Sequence, residues 1–273
     1  MIIVKNNIEL KQALKKISDD LAFVPTMGAL HEGHLSLIKQ ARKDCKAVLC
    51  SIFVNPTQFL AGEDLDSYPR QTKKDLELCE KNGVDICFLP EIKDLYFNDE
   101  VLIKAPKGKS YILEGFCRPE HFDGVLQVVL KLFNLVKPKK AYFGQKDAQQ
   151  LLLIRQMKRN LFLDIEIIAC ETFRENDGLA MSSRNVYLDK KERQEALCLI
   201  KSLRLAKSLV EKGQKDILEI KRQMMLELKN KDLEYLEILS YDLEDIEKIE
   251  PNNTIILLAV KFSKARLIDN IWL

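Results

Sequence analysis

Residues 21–34 read Leu-Ala-Phe-Val-Pro-Thr-Met-Gly-Ala-Leu-His-Glu-Gly-His. The first four form a short apolar run, which is typical of a buried strand, and an apolar-periodic helix follows the second histidine. His31 and His34 are three residues apart, so they lie on one side of the first helical turn. Unpaired backbone N–H groups and the positive end of the helix dipole lie there too, which favours phosphate. The stretch therefore predicts a strand, a nucleotide-binding turn and a helix.

Apolar runs and amphipathic, helix-like stretches alternate through the first two-thirds of the chain. This alternation predicts βαβ units, right-handed crossovers and a parallel sheet, whose ligands bind beyond the carboxyl ends of the strands. A first helix is expected around Leu10 and Leu14, with Asn7 as its cap. The predicted strands are residues 21–24, 47–54, 85–89, 141–143 and 165–169, and the longest predicted helices here are residues 125–136 and 151–157.

After about residue 185 the pattern changes. Apolar residues at spacings of three and four over residues 196–210 predict one helix, with Asp189 and Glu192 as a capping box at its start. A second charged helix is expected next, followed by strands, and this order suggests a smaller α+β domain. The predicted helix is residues 215–229, the predicted strands are residues 233–240, 254–262 and 265–271, and the predicted domains are residues 1–183 and 184–273.

Composition excludes several classes of function. The formal net charge is only +2, from 43 basic and 41 acidic side chains, which argues against a nucleic-acid or membrane-surface partner. Seven cysteines without a C-x-x-C pair suit buried thiols in a reducing compartment. Three histidines leave few ligands for a structural zinc site. With no signal-peptide pattern and no long apolar run, the sequence predicts a soluble cytoplasmic protein.

Two further loops follow predicted strands. Residues 53–59 read Phe-Val-Asn-Pro-Thr-Gln-Phe, where Gln58 can donate and accept hydrogen bonds to a small hydroxylated acid. Residues 143–150 read Phe-Gly-Gln-Lys-Asp-Ala-Gln-Gln. Gly144 there lets the backbone approach a ligand, Lys146 can follow developing phosphate charge, and Asp147 suits a helix cap or a ribose contact.

Two polar segments complete the set. Residues 118–125 read Arg-Pro-Glu-His-Phe-Asp-Gly-Val and open the long apolar helix. Arg118 and His121 suit an anion at that helix start, but Arg118 equally suits a surface ion pair with Glu120 or Asp123. Residues 177–185 read Asp-Gly-Leu-Ala-Met-Ser-Ser-Arg-Asn. Their two hydroxyls and guanidinium resemble the second signature of class I aminoacyl-tRNA synthetases, which clamps the leaving pyrophosphate.

Taken in this order, the segments resemble the pantothenate synthetase family over essentially the whole chain, including Arg-Leu-Ile-Asp-Asn at residues 266–270. The resemblance implies a Rossmann-like parallel-sheet domain, a smaller α+β C-terminal lid domain and a homodimer. It implies an ATP-dependent ligase that joins pantoate to β-alanine through a pantoyl-adenylate, with Mg²⁺, giving pantothenate, AMP and pyrophosphate.

The resemblance also implies roles for individual residues. His34, Lys146 and Arg184 are the expected catalytic residues, and Gln58 and Gln150 the expected substrate-binding ones. No protein metal ligand is expected, and Asp75 is considered as a magnesium ligand but not included. The expected ATP-binding residues are Met27, Gly28, Ala29, Leu30, His31, Glu32, Gly33, His34, Gly144, Gln145, Lys146, Asp147, Phe173, Met181, Ser182, Ser183 and Arg184.

The sequence departs from the family pattern at a few positions. Glu120 stands where a glycine is common, which weakens the assignment of Arg118 and His121. Gln145 replaces a frequent glutamate, and Phe173 replaces a frequent valine. An adenylyltransferase acting on a cofactor precursor is the alternative interpretation, because it shares the H-x-G-H motif. It would not explain the two glutamine-containing segments around Gln58 and Gln150.

Overall fold

The computed structural model describes residues 1–273, which divide into two compact units. The first unit comprises residues 1–144 and 149–171, and the second comprises residues 145–148 and 172–273. The predicted domain boundary at residues 183/184 stays a prediction.

The first unit contains a six-stranded parallel sheet. Its strands are β1 (Ile2–Val4), β2 (Leu21–Thr26), β3 (Ala47–Ile52), β4 (Ile86–Phe88), β5 (Lys140–Gly144) and β6 (Glu166–Cys170). Their order in the sheet is β1-β4-β3-β2-β5-β6. The order reverses between β2 and β5, so the crevice typical of α/β ligand sites lies beyond Thr26 and Gly144. The central strands are buried on both faces, which is why they read as continuous apolar runs.

The first eight helices connect and cover these strands. They are α1 (Asn7–Leu14), α2 (Glu32–Asp44), α3 (Thr72–Lys81), α4 (Ile92–Leu95), α5 (Lys107–Ser110), α6 (Glu114–Cys117), α7 (His121–Val136) and α8 (Ala148–Asn160). The predicted cap of α1 is wrong by one residue. Asn6 Oδ1 accepts the N–H groups of Ile8 and Glu9 at 3.1 and 2.9 Å, whereas Asn7 donates to the Asp94 carbonyl. A sequence pattern cannot distinguish between two adjacent asparagines, and only the backbone conformation determines which of them caps the helix.

Helix α7 is the most apolar helix of the chain. It packs against the short 3₁₀ turn Pro56–Gln58, and a Cβ at Gly124 would lie 2.2 Å from the Thr57 carbonyl oxygen. Glycine is therefore required at position 124 for this close approach. The contact places the turn that carries Gln58 against the first part of α7.

The second unit is the predicted α+β arrangement. It contains α9 (Lys190–Glu195), α10 (Leu197–Glu211), α11 (Ile217–Glu227), β7 (Asp232–Ser240), β8 (Thr254–Lys261) and β9 (Arg266–Trp272). The strands form an antiparallel sheet with β8 in the centre. The Asp189–Glu192 capping box is confirmed, but the helix it starts ends at Glu195 and α10 begins two residues later.

A separate apolar core holds the second unit together. Leu199 and Leu203 of α10 pack with Ile256 and Leu258 of β8, and all four are buried. Burying one such side chain contributes roughly 1.5–3 kcal/mol relative to exposure. The predicted fold class, a parallel α/β unit with a smaller α+β unit, is confirmed. None of the helices is both long and apolar enough to cross a bilayer.

Candidate active site

The loop after β2 has an unusual backbone. Gly28 and Ala29 adopt φ angles of +83° and +51°, a region that non-glycine residues rarely enter. A Cβ at Gly28 would lie 3.0 Å from Ile52 Cγ2 and 3.1 Å from Asp75 Oδ2. Gly28 is therefore required both for its φ angle and for space.

The two predicted histidines flank the first turn of α2. The N–H of Gly33 donates to His31 Nδ1 at 3.2 Å, and the N–H of His31 donates to His34 Nδ1 at 3.4 Å. The ring centroids are 4.1 Å apart. When Nδ1 of a neutral imidazole accepts a hydrogen bond, its proton lies on Nε2. The backbone thus sets both rings in the tautomer that makes Nε2 a hydrogen-bond donor, and it sets them side by side.

Gln58 lies beside this loop. Its Nε2 donates to the sulfur of Met27 at 3.1 Å, and its Oε1 accepts from Asn55 Nδ2 at 3.1 Å. Asn55 is 1% exposed and also donates to the Gly124 carbonyl. The structure thus brings the predicted substrate residue Gln58 together with Met27, and it adds Asn55 as the residue that holds the Gln58 carboxamide.

The second predicted substrate residue, Gln150, is half-buried in the first turn of α8. Its neighbour Gln149 has a different environment. Gln149 accepts from the N–H of Glu114 and donates to the carbonyls of Lys109 and Ile112. Gln149 therefore fixes the segment around α5 and α6, and of the two consecutive glutamines only Gln150 is left for a ligand.

Arg118 forms an ion pair that the sequence does not predict. Its Nε and Nη2 donate to the two carboxylate oxygens of Glu63 at 2.6 and 2.7 Å, and Nη2 also donates to the Gln58 carbonyl. The sequence suggests Glu120 or Asp123 as the ion-pair partner of Arg118, but Arg118 pairs with neither of them. Asp123 pairs with Lys104 instead. Burial would raise the pKa of Glu63, but the Arg118 hydrogen bonds and charge hold it below its usual value.

His121 completes this network. Its Nδ1 lies 2.7 Å from the Gln58 carbonyl oxygen and its Nε2 lies 3.2 Å from Arg118 Nη1. Burial and the adjacent Arg118 charge lower the pKa of His121 to about 4. A neutral ring can donate from Nδ1 to the carbonyl and accept from Arg118 at Nε2. Arg118 and His121 thus support the backbone of Gln58.

The second unit contains the remaining predicted nucleotide residues. Gln145–Asp147 form a 3₁₀ turn, in which Lys146 Nζ lies 3.3 Å from Asp147 Oδ1. The Phe173 carbonyl accepts the N–H of Met181 at 3.0 Å, and Ser182 Oγ accepts the N–H of Arg184 at 3.3 Å. These bonds shape residues 173–184 into a closed loop with Ser182 at the start of the turn Ser183–Tyr187.

The end of the chain supports both of these segments. Asn270 Nδ2 donates to the carbonyls of Gln145 and Lys146 at 3.0 and 2.7 Å. Arg174 forms two hydrogen bonds with the Asp269 carboxylate, at 2.7 and 2.9 Å, and the Asp269 side chain is completely buried. Asp269 and Asn270 belong to the closing pattern at residues 266–270, but the sequence predicts no role for either of them. The sequence signal that could have identified them is a pair of polar residues inside a strand that packs on an apolar core.

A cavity of about 560 Å³ adjoins the loop after β2 within the first unit. Met27 and Gly28 form one wall, and Asp75, the ends of β3 and β4 and residues 69–72 form the others. Asp75 accepts the N–H groups of Ala29 and Leu30 at 3.0 and 2.8 Å. The sequence suggests Asp75 only as a magnesium ligand, and its contact with the loop after β2 is visible only in the fold.

Comparison with known proteins identifies the family of this chain. The profile of the family described as pantoate-beta-alanine ligase matches residues 2–272. The chain is 53% identical to pantothenate synthetase of Aliarcobacter butzleri and 51% identical to that of Campylobacter hominis, each over 273 residues and all of both chains.

Solved structures give the same result. Pantothenate synthetase from Thermus thermophilus superposes with a TM-score of 0.94 at 37% identity, covering 100% of this chain and 99% of that one. Pantoate-beta-alanine ligase from Francisella tularensis, complexed with beta-gamma ATP and beta-alanine, gives a TM-score of 0.78 at 35% identity, covering 100% and 97%. The chain therefore belongs to the pantoate-beta-alanine ligase family.

Proposed function

We propose that this protein condenses (R)-pantoate with β-alanine in an ATP-dependent reaction that releases AMP and pyrophosphate. The observation that carries the proposal is the pair of histidines at the start of α2, with both Nδ1 atoms engaged by the backbone. Family membership and the ATP and beta-alanine named for the Francisella tularensis structure support the choice of substrates.

The reaction needs activation because an amine does not usefully displace oxide from a carboxylate. A pantoate carboxylate oxygen bonds to the α-phosphorus of ATP while the bond to pyrophosphate breaks, which gives pantoyl-adenylate. The free amine of β-alanine then attacks the acyl carbon, the bond to AMP breaks, and the amine loses a proton. Both steps depend mainly on positioning and on stabilising charge on phosphate oxygens.

His34 is proposed as the donor to an α-phosphate oxygen, through its Nε2–H. Residues 27–34 would contact ATP, and its phosphates would lie near the positive end of α2. The N–H groups of Ala29 and Leu30 are bonded to Asp75, so these two residues would contact ATP through other atoms. The Gly33 N–H donates to His31 Nδ1 and the His34 N–H donates to the His31 carbonyl, so the Nε2–H groups of His31 and His34 would provide the anion contacts of this loop.

Lys146 and Arg184 are proposed to stabilise the departing pyrophosphate, with the hydroxyls of Ser182 and Ser183. Gly144, Gln145, Asp147, Phe173 and Met181 would contact the nucleoside and phosphates, as the family resemblance implies. Lys146 is four-fifths buried beside Asp147, which restricts its motion more than that of an exposed lysine. A lysine remains a compact, mobile point charge that can follow phosphate oxygens as charge develops.

Gln58 and Gln150 are proposed to bind pantoate. Asn55 holds Gln58 Oε1, so the carboxamide orientation is set before substrate arrives. Mg²⁺ is proposed to enter with ATP, because this cation favours phosphate oxygens and water over an all-protein cage. Both oxygens of Asp75 already accept backbone N–H bonds, so the phosphates supply the ligands in this proposal.

The test is release of pyrophosphate and AMP from ATP and pantoate, measured with and without β-alanine. The proposal requires pantoate-dependent pyrophosphate formation, and repeated AMP release only when β-alanine is present. An adenylyltransferase would instead leave AMP on its product, which mass spectrometry distinguishes. Absence of turnover in every combination, with ATP bound, would refute the proposed reaction.

One further proposal rests on the family resemblance, and one prediction rests on the sequence. A homodimer is proposed, and sedimentation equilibrium checks it against a monomer mass of 31.5 kDa. The cytoplasmic location stays a prediction from the sequence, and fractionation of cells that produce the protein tests it.

A further inference from the structure

The carboxylate of Asp75 binds the backbone of the loop that connects β2 to α2 (residues 27–31), although Asp75 itself lies outside this loop. Asp75 belongs to the first turn of α3, and it is 1% exposed. Its Oδ1 accepts the N–H of Leu30 at 2.8 Å and its Oδ2 accepts the N–H of Ala29 at 3.0 Å. Two consecutive backbone donors of the loop are therefore bound by one buried side chain 45 positions further along the chain.

These bonds hold a backbone conformation that is unfavourable by itself. Ala29 has φ +51°, and a non-glycine residue in this region costs about 1–2 kcal/mol. Charge-assisted hydrogen bonds to an ionised carboxylate are roughly twice as strong as neutral ones. Burial raises the pKa of Asp75 above its ordinary value, whereas the two N–H bonds lower it and the N-terminus of α3 also favours the ionised form. Asp75 therefore compensates for the strain at Ala29.

The same bonds set the direction of two peptide groups. No cis peptide bond occurs in the chain, and in a trans peptide the C=O points opposite to the N–H. Because the N–H groups of Ala29 and Leu30 point to Asp75, the carbonyls of Gly28 and Ala29 point away from it. The His31 backbone, which follows directly, then starts α2 and donates to His34 Nδ1.

From this geometry we infer that Asp75 is a positioning residue for adenylation, which acts by fixing the Gly28–Leu30 turn and hence the placement of His31 and His34. The inference rests on the proposed function. Asp75 itself contacts no reacting group, and its two acceptor bonds leave the histidines to contact the phosphate.

The test compares Asp75→Asn with the wild type in single-turnover pyrophosphate release, with excess enzyme and saturating pantoate. Asparagine preserves shape, but its amide nitrogen cannot accept the second N–H bond. We expect the adenylation rate constant to fall about 10- to 100-fold, since small misplacements of catalytic groups have effects of this size. The ATP concentration for half-saturation should change less than the rate constant, because the substitution removes stabilisation mainly from the transition state.

Amide hydrogen exchange supplies an independent readout. In the variant, the Ala29 and Leu30 amides should exchange at least tenfold faster than in the wild type, while the amides of β2 keep their protection. Glu77→Gln is the matched control, since Glu77 is exposed on the same helix, and it should behave as wild type in both assays. If Asp75→Asn does not fold, Asp75→Ser takes its place, since a hydroxyl can accept one N–H bond.

The outcomes distinguish a failure of the proposed function from a failure of the role of Asp75. Wild-type protein without pantoate-dependent pyrophosphate release would refute the proposed function. A wild type that turns over, with a folded variant of equal rate or unchanged Ala29 and Leu30 exchange, would overturn the role of Asp75. A tenfold or larger increase in the Mg²⁺ requirement with unchanged amide exchange would also overturn it, because that result identifies direct contact with the cation.

Discussion

Asn270 Nδ2 lies 2.7 Å from the carbonyl oxygen of Lys146, a residue 124 positions earlier in the chain. The same nitrogen donates to the carbonyl of Gln145 at 3.0 Å. One side chain of β9 thus binds two successive carbonyls of the turn that carries the proposed pyrophosphate lysine. The adjacent Asp269 holds Arg174 in the segment that leads to Arg184.

Asn270→Ala should therefore slow the reaction without preventing ATP binding. Loss of both donors removes two hydrogen bonds to the turn around Lys146 and loosens it, so we expect kcat to fall about 10- to 100-fold. Steady-state pyrophosphate release measures this effect. Asn160→Ala, at the exposed end of α8, is the control and should retain wild-type kcat. Equal rates for Asn270→Ala and wild type would show that the turn needs no such support.

Two substitutions of His34 test its two ring nitrogens separately, and alanine removes both. Asparagine places an amide group near Nδ1 and lacks the Nε2 donor, whereas glutamine reaches toward the Nε2 position. Removing one transition-state donor typically lowers the rate about 100- to 1,000-fold. We expect that loss for His34→Asn and for His34→Ala, with partial recovery in His34→Gln. Near-normal turnover of folded His34→Ala would contradict its role.

Lys146→Ala removes the charge proposed to follow pyrophosphate. The expected decrease in kcat is again about 100-fold or more, since the lysine acts on charge that develops as the α-phosphorus bond breaks. Lys73→Ala is the control, because Lys73 is exposed on α3 and has no proposed role. Isothermal titration of ATP should show that both variants still bind nucleotide. If Lys146→Ala matched its control in kcat, pyrophosphate would depart without this lysine.

His121 should make stability depend on pH. Its folded-state pKa is about 4, below the ordinary value of about 6.5, so the folded protein favours the neutral ring. As pH falls from 6.5 toward 4, the unfolded chain binds a proton that the folded chain does not. Each pH unit in this window lowers the free energy of unfolding by at most about 1.4 kcal/mol. Above pH 6.5 this contribution is fully present.

Urea unfolding at pH 7, 6 and 5 checks this effect in wild type and in His121→Asn, whose amide can still donate to the Gln58 carbonyl. Wild type should lose more stability than the variant, by at most about 2 kcal/mol at pH 5. Glu63 also has a lowered pKa, and its stabilisation is lost below that value. The comparison therefore stays at pH 5 and above. Parallel pH curves for the two proteins would contradict the prediction.

Glu120 should be replaceable by glycine with a gain in stability. Its φ of +65° lies in the left-handed region directly before α7, where a side chain costs about 1–2 kcal/mol. We expect Glu120→Gly to raise the free energy of unfolding by about 1 kcal/mol. Glu77→Gly, inside α3, should lower it by about the same amount. A destabilised Glu120→Gly would mean that the glutamate side chain makes a compensating contact.

Much of the fold can be predicted from the sequence, because the spacing of apolar residues and the identity of turn residues are local properties of the chain. The sequence predicts five of the six strands of the parallel sheet, the long helix α7 and the three antiparallel strands within a few residues. It does not predict the three-residue β1, since so short an edge strand shows no period. The predicted H-x-G-H turn, the Gln58 turn and the Gly144–Asp147 segment all follow strands, as expected for a parallel sheet.

Only the tertiary structure decided which side chains support these segments. Asp75 binds Ala29 and Leu30, Arg118 pairs with Glu63, and Asn270 binds Lys146. In each case the partners are 45 or more positions apart. A local pattern cannot distinguish a buried carboxylate that accepts two N–H bonds from an exposed helix acid. The sequence thus identified the groups suited to the chemistry, while long-range packing, which forces buried polar atoms to find partners, determined what holds them.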